Sequence, residues 1–259
     1  MRLRHTIFLF ILFLGMAAGQ QALAATTKVK ELLQEANLFY ADSKDNLALQ
    51  KFEEVLKLEP TCYEALWKSS LLNSRIGNRY SDVISKINYF DKAWVFADQA
   101  LCAFEGAEAN YVMALAVYNK ALALNVKERM QNSKVIKFYL DEAVCANPSY
   151  SDAWQLIGRW HFKNANLNMA EKSAVNLFFG GIPLEASNEQ AVEALQNAIK
   201  FNPNNISYYF DLACVYRELE KEDMSMALLQ DAANLKLLTS EELEISRRCK
   251  AMLEEMDRT

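Results

Sequence analysis

The phrase Glu53-Glu-Val-Leu-Lys-Leu-Glu-Pro60 decides the fold, because the chain repeats it. It returns as Asp98-Gln-Ala-Leu-Cys-Ala-Phe-Glu105, as Asp141-Glu-Ala-Val-Cys-Ala-Asn-Pro148, as Gln196-Asn-Ala-Ile-Lys-Phe-Asn-Pro203 and as Gln230-Asp-Ala-Ala-Asn-Leu-Lys-Leu237. Three of the four prolines close such a phrase. Proline lacks an N–H and cannot continue a helix, so each phrase reads as a helix end. Its third position is always Val or Ala (Val55, Ala100, Ala143, Ala198, Ala232). Three and seven residues before it stand more small or apolar groups, as in Ala48-Phe52-Val55 and Ala191-Leu195-Ala198. That spacing makes one stripe of a helix, with small residues where a second helix must come close.

A second amphipathic helix is expected ahead of each phrase. Trp154-Gln-Leu-Ile-Gly-Arg-Trp-His161 is the clearest, and Tyr209-x2-Leu212-Ala213-x2-Tyr216 follows the same spacing. Leu66-x2-Ser69-Ser70 and Leu32-x2-Glu35-Ala36-x2-Phe39 are weaker copies. A large residue, Leu or Ile, Gly or Ala, then a ring is the tetratricopeptide (TPR) pattern of paired helices. The expected fold is therefore all-α: a TPR-like, right-handed solenoid of antiparallel helix pairs. About five repeats are expected, at 28–61, 62–106, 107–149, 150–204 and 205–238 of a domain spanning 25–259.

The phrases are spaced 45, 43, 55 and 34 residues apart, so the units are not plain 34-residue ones. Residues 74–88 are expected as an insertion in the second repeat and 123–133 as an extension of the third. Residues 164–187 add a helical stretch and the turn Gly180-Gly-Ile-Pro183 to the fourth. Ser187-x2-Gln190 reads as a capping box. Residues 239–256 open with Thr-Ser-Glu-Glu, run amphipathic, and would supply the terminal cap that a solenoid needs.

The first 24 residues read as a secretory signal peptide. Arg2, Arg4 and His5 precede an apolar run from Ile7 to Ala18, and Ala22-Leu-Ala24 suits cleavage before Ala25. The run is shorter than the roughly 20 residues of a membrane span. The expected location is periplasmic or secreted, the alternative being a chain anchored by an uncleaved N-terminus. Arg2 and Arg4 are the leader's only Lys, Arg, Asp or Glu, so its loss moves the net charge from −5 to −7. An acidic chain does not suit nucleic acid as the main partner, because phosphate binding needs a basic surface.

No sequence signal for chemistry stands out. Past the leader the only histidine is His161, at a position where the repeat packs a ring between helices. The five cysteines (62, 102, 145, 214 and 249) are widely spaced without a C-x-x-C pair, and read as small buried hydrophobes rather than as a disulfide framework. No zinc-protease, nucleophile-elbow or phosphate-loop motif occurs. No metal, cofactor or catalytic residue is expected. Counting from the repeat consensus places Trp67, Leu71, Gln155, Arg159, Phe210, Cys214 and Arg217 on the concave face, with Tyr111 beside them. Aromatic anchors next to Arg suit capture of an extended peptide or a carboxylate. For Trp67 and Phe210 the alternative is packing between repeats, and Trp160 reads as core.

The chain also resembles the regulator of microtubule dynamics family, as an exported, bacterial-type member. Ala65-Leu-Trp-Lys68, Asn132-Ser-Lys-Val-Ile-Lys137, Leu156-Ile-Gly-Arg-Trp-His161, Ala174-Val-Asn-Leu-Phe-Phe-Gly180 and Pro183 carry the resemblance. It implies a helical repeat fold from about Glu64 onward, with the long fourth repeat as a shared feature. The expected function is a non-catalytic, envelope-located protein–protein interaction scaffold that holds a protein or peptide partner in the groove. The alternatives are a structural accessory of a membrane complex acting through its convex face, and a hydrolase on a helical array.

Overall fold

The computed structural model describes residues 26–124, 126–179, 186–256 and 258. The leader, and the turn at Gly180-Gly-Ile-Pro183, lie outside the described residues. The described chain holds twelve helices: α1 (26–41), α2 (Asp45–Leu58), α3 (Tyr63–Asn78), α4 (Val83–Ala103), α5 (Ala107–Leu124), α6 (Val126–Ala146), α7 (Ser151–Ala165), α8 (Met169–Phe179), α9 (Asn188–Phe201), α10 (Ile206–Glu218), α11 (Glu222–Ala233) and α12 (Ser240–Met256).

Packing follows chain order. α3 pairs with α4, α5 with α6, α7 with α9 and α10 with α11. α1 and α2 share a core of Val29, Leu32, Ala36, Ala48, Phe52 and Val55, closed by Ala65 and Leu72 of α3. The second helix of each pair then packs on the first of the next, and α12 closes the array against α10 and α11. This is an all-α, TPR-like solenoid.

The recurring phrase does what its residue types require. α2, α6 and α9 each end two residues before Pro60, Pro148 and Pro203. Val55, Ala100, Ala143, Ala198 and Ala232 are all fully buried. At Gly158 a Cβ would stand 2.5 Å from Leu195 Cγ, so the α7–α9 approach admits no side chain there. Small groups serve the same end in α3, where Ser69, Ser70, Asn73 and Ser74 are buried and the Ser70 hydroxyl donates to the Ala93 carbonyl at 2.8 Å.

Helix starts follow their caps. Ser187 Oγ accepts from Gln190 N at 3.2 Å. Thr239 and Glu242 cap α12 reciprocally: Glu242 N donates to Thr239 Oγ1 and Thr239 N to Glu242 Oε2. Asn168 and Glu171 make the same exchange at α8.

Two expectations change. Residues 74–88 are not a separate insertion, since they fall in the end of α3, the turn at 79–82 and the start of α4, and both helices are simply long. The third repeat is lengthened in the same way, through α5 and α6. Only the fourth carries an extra element, α8, which packs on α6. The cysteines are not uniformly buried either. Cys249 is, Cys62 and Cys214 are half-buried, and Cys102 and Cys145 are exposed.

Candidate functional site: the inner face of the solenoid

The inner face is built from one end of α1 and from α3, α5, α7 and α10. Tyr40 ends α1 beneath Arg75 of α3, whose guanidinium lies 5.1 Å from the ring centre and donates to the Tyr40 hydroxyl at 3.3 Å. Arg75 also lies 3.9 Å from the buried Asp45 carboxylate. Tyr111 of α5 meets Tyr150 edge to face, with ring centres 5.1 Å apart. The Tyr208 hydroxyl of α10 donates to Asp152 of α7 and sits 3.2 Å from Ser151 Oγ. Asp211 of α10 accepts from Gln155 Nε2 and from Arg159 Nε, each at 2.6 Å.

These groups share one electrostatic environment. Burial raises the Tyr111 hydroxyl well above its usual range; Asp152 and Tyr208 push it further, while Arg75 and Arg159 oppose them. Burial raises Tyr208 too, with Asp152 next in weight. Tyr40, Tyr118 and Tyr150 are raised chiefly by burial as well. The tyrosines therefore stay neutral at physiological pH. For Arg159 burial works against the charge, but Asp211 outweighs it and the guanidinium stays protonated. The side chains of Arg75 and Arg159 remain 43% and 41% exposed. The result is a buried wall of tyrosines with a half-exposed arginine side chain at either side.

The consensus count finds part of this wall. Gln155, Arg159 and Tyr111 lie on it together. Trp67 is half-buried, and Leu71 and Tyr111 are 6% and 7% exposed in the main core, where Trp67 and Leu71 pack between repeats. Phe210, Cys214 and Arg217 lie on another side of α10, which α12 covers. Arg248 sits 4.3 Å over the Phe210 ring, and Arg217 pairs with Glu255 at 3.3 Å. Phe210 is 9% exposed and is no open anchor. Tyr40, Arg75, Asp152, Tyr208 and Asp211 were missed by the count.

His161 packs as the repeat pattern requires, 4% exposed and edge-on to Trp160 at 4.9 Å. Trp160 is core, with its indole N–H donating to the Ser133 carbonyl. Two carboxylates, Asp152 and Asp211, do converge on the inner face, but each is already engaged by fixed donors. Among the described residues no group of three or more His, Cys, Asp or Glu is placed to hold a metal ion. No helix among them is long and apolar enough to cross a membrane.

Fold and inner face together define a TPR-type solenoid. The chain belongs to the regulator of microtubule dynamics protein 1-3 family, whose model matches residues 32–257. No curated protein matches it. Among solved structures it is similar to TTC0263, a thermophilic TPR protein of Thermus thermophilus, at 16% identity and a TM-score of 0.58, covering 87% of this chain and 99% of that one. It is also similar to the pilF protein of Pseudomonas aeruginosa, at 12% identity and a TM-score of 0.54, covering 90% and 88%. At these identities the likeness concerns the fold.

Proposed function

We propose that this chain is a non-catalytic scaffold that holds an extended polypeptide segment against its inner face. The supporting observation is the pair of half-exposed arginine side chains, Arg75 and Arg159, flanking the buried tyrosine wall. A half-exposed arginine side chain at either end of the wall suits the carboxylates of a bound segment. The test is capture of partners from the native envelope by the wild type and by Arg75→Gln/Arg159→Gln. That variant keeps polar groups in place, and circular dichroism checks its fold. Loss of the captured protein supports the reading; equal capture overturns it.

The proposed compartment is the cell envelope, on the strength of Arg2 to Ala24 as an export leader. The family name points to microtubules, which an exported chain would not meet. N-terminal sequencing of the native protein is expected to begin at Ala25. A chain retaining residues 1–24 in the cytoplasm would remove the envelope role and restore the cytoskeletal one.

A second reading, an accessory acting through its outer face, has its own observation. Trp94 and Val95 of α4, and Val135 and Phe138 of α6, are 43–55% exposed on the second helices of their pairs. Capture lost in Trp94→Asp or Phe138→Asp, but kept in the double Arg variant, would favour it.

A further inference from the structure

We propose that Cys214 and Cys249 are the two halves of a disulfide site that staples the C-terminal helix α12 onto α10. This is independent of what the inner face binds. Both residues belong to one packed cluster, with Phe210, Ala213, Leu229, Ala232 and Met252. Two contacts fix how the helices lie. Arg248 covers Phe210, and Glu255 pairs with Arg217, so α10 and α12 run side by side in the same direction. Each contact joins residues 38 positions apart. Cys214 and Cys249 are 35 apart, so they sit within one helical turn of level, an axial offset of about 4.5 Å. The two thiols are close enough that Cys214 disfavours ionisation of Cys249. The other three cysteines lie elsewhere: Cys62 in the α2–α3 turn, Cys102 and Cys145 exposed near the ends of α4 and α6.

The reaction is thiol–disulfide exchange with an external disulfide as oxidant. Cys214, the half-exposed member, loses its proton and attacks one sulfur of that disulfide. The external S–S bond breaks, and one half leaves as a thiol after taking up a proton. The Cys249 thiolate then attacks the Cys214 sulfur and expels the second half. The two cysteines give up two electrons and two protons, and the external disulfide becomes two thiols. Burial, and then Cys214, hold the Cys249 thiol at about 11, and burial raises Cys214 as well. Closure is therefore slow at neutral pH and speeds up roughly tenfold per pH unit, following the thiolate fraction.

The full chain, purified under reducing conditions, is incubated with oxidised glutathione at pH 8. It is then alkylated, digested without reductant and read by mass spectrometry. The expected product is a Cys214–Cys249 linked peptide with three cysteines alkylated, and a Tm raised by roughly 5 °C or more. Cys102→Ser/Cys145→Ser keeps the link. Cys214→Ser abolishes both link and Tm shift, and Cys249→Ala repeats that loss should the serine variant fold poorly. Alkylation of all five cysteines overturns the proposal, as do stable glutathione adducts without a link, or links only through Cys102 or Cys145.

Discussion

Arg79, one residue past the end of α3, donates through Nε to Glu241 in the first turn of α12 at 2.6 Å, across 162 positions of sequence. The same guanidinium reaches Asp45 of α2, whose side chain is 2% exposed. The second helix pair thus touches the terminal cap, and the solenoid winds back on itself. This explains why Tyr40 of the first pair packs against the central core, and why its hydroxyl feels Asp152 of the fourth.

The two halves of this link should differ in weight. Glu241 is half-exposed, so Glu241→Gln is expected to cost less than about 1 kcal/mol. Arg79→Ala withdraws a partner from the buried Asp45 carboxylate, leaving Arg75 at 3.9 Å, and is expected to cost about 1–3 kcal/mol. Urea denaturation reads both. Burial alone would raise the Glu241 carboxyl, but hydrogen bonding and Arg79 hold it below its usual range. Its contribution is present above the unfolded value near about 4.3 and is lost as pH falls through the lowered one. Small-angle scattering should show a wider molecule in acid or high salt, and in Glu241→Lys at neutral pH. Identical profiles for wild type and Glu241→Lys would show that the link does not hold the ends together.

Gly158→Ala should be destabilising although alanine is the better helix former. The new methyl meets Leu195 Cγ at 2.5 Å, in a seam where Ala191 and Leu195 are buried. Overpacking of this kind costs about 1–3 kcal/mol. Leu195→Ala beside it should recover part of the loss, so the double variant is less destabilised than the two single effects added together. Additive losses would mean that the clash is relieved by backbone movement instead.

The helix ends were legible in the sequence because their causes are local. A proline two residues past the helix, and a small residue that must be buried, leave the same mark wherever they occur. The Thr239 and Ser187 caps were readable for that reason, and Asn168-x2-Glu171 carried the same signal for α8. The binding face was legible only in part. Counting from the consensus selects a stripe on α10 but does not say which helix covers it. α12 lies on Phe210 and Arg217, which leaves Tyr208 and Asp211 for the inner face. Tyr40 and Arg75 were out of reach for a different reason: they join the wall through the winding of the whole array, which no window of residues records.

Phe210→Ala should therefore act on the cap. The ring lies under Arg248 and packs in the cluster that holds Cys249 and Met252. Removing it is expected to cost about 3 kcal/mol locally. In hydrogen exchange the amides of α12 should lose protection first, while α5 and α7 keep theirs. Arg159→Gln should leave α12 untouched. Equal loss of protection along the chain would place Phe210 in a globally cooperative core.

At the alkaline end the tyrosines set the limit. The Tyr63 hydroxyl donates to Glu108 and accepts from the Ala109 N–H, and burial pushes its pKa up to about 12. Tyr111, Tyr118, Tyr150 and Tyr208 are raised by burial as well. In the unfolded chain a tyrosine ionises near about pH 10. The folded state therefore holds these protons more tightly. The stability they confer is complete below about pH 10 and declines as pH rises through the folded values. Absorbance at about 295 nm should show only the exposed members of the eleven tyrosines ionising while the helical signal is intact. The rest should ionise together with loss of helix, at or above about pH 12. In urea all eleven should titrate near about pH 10. A folded chain whose tyrosines all ionise near pH 10 with its helices intact would mean that the inner wall is open to water rather than buried.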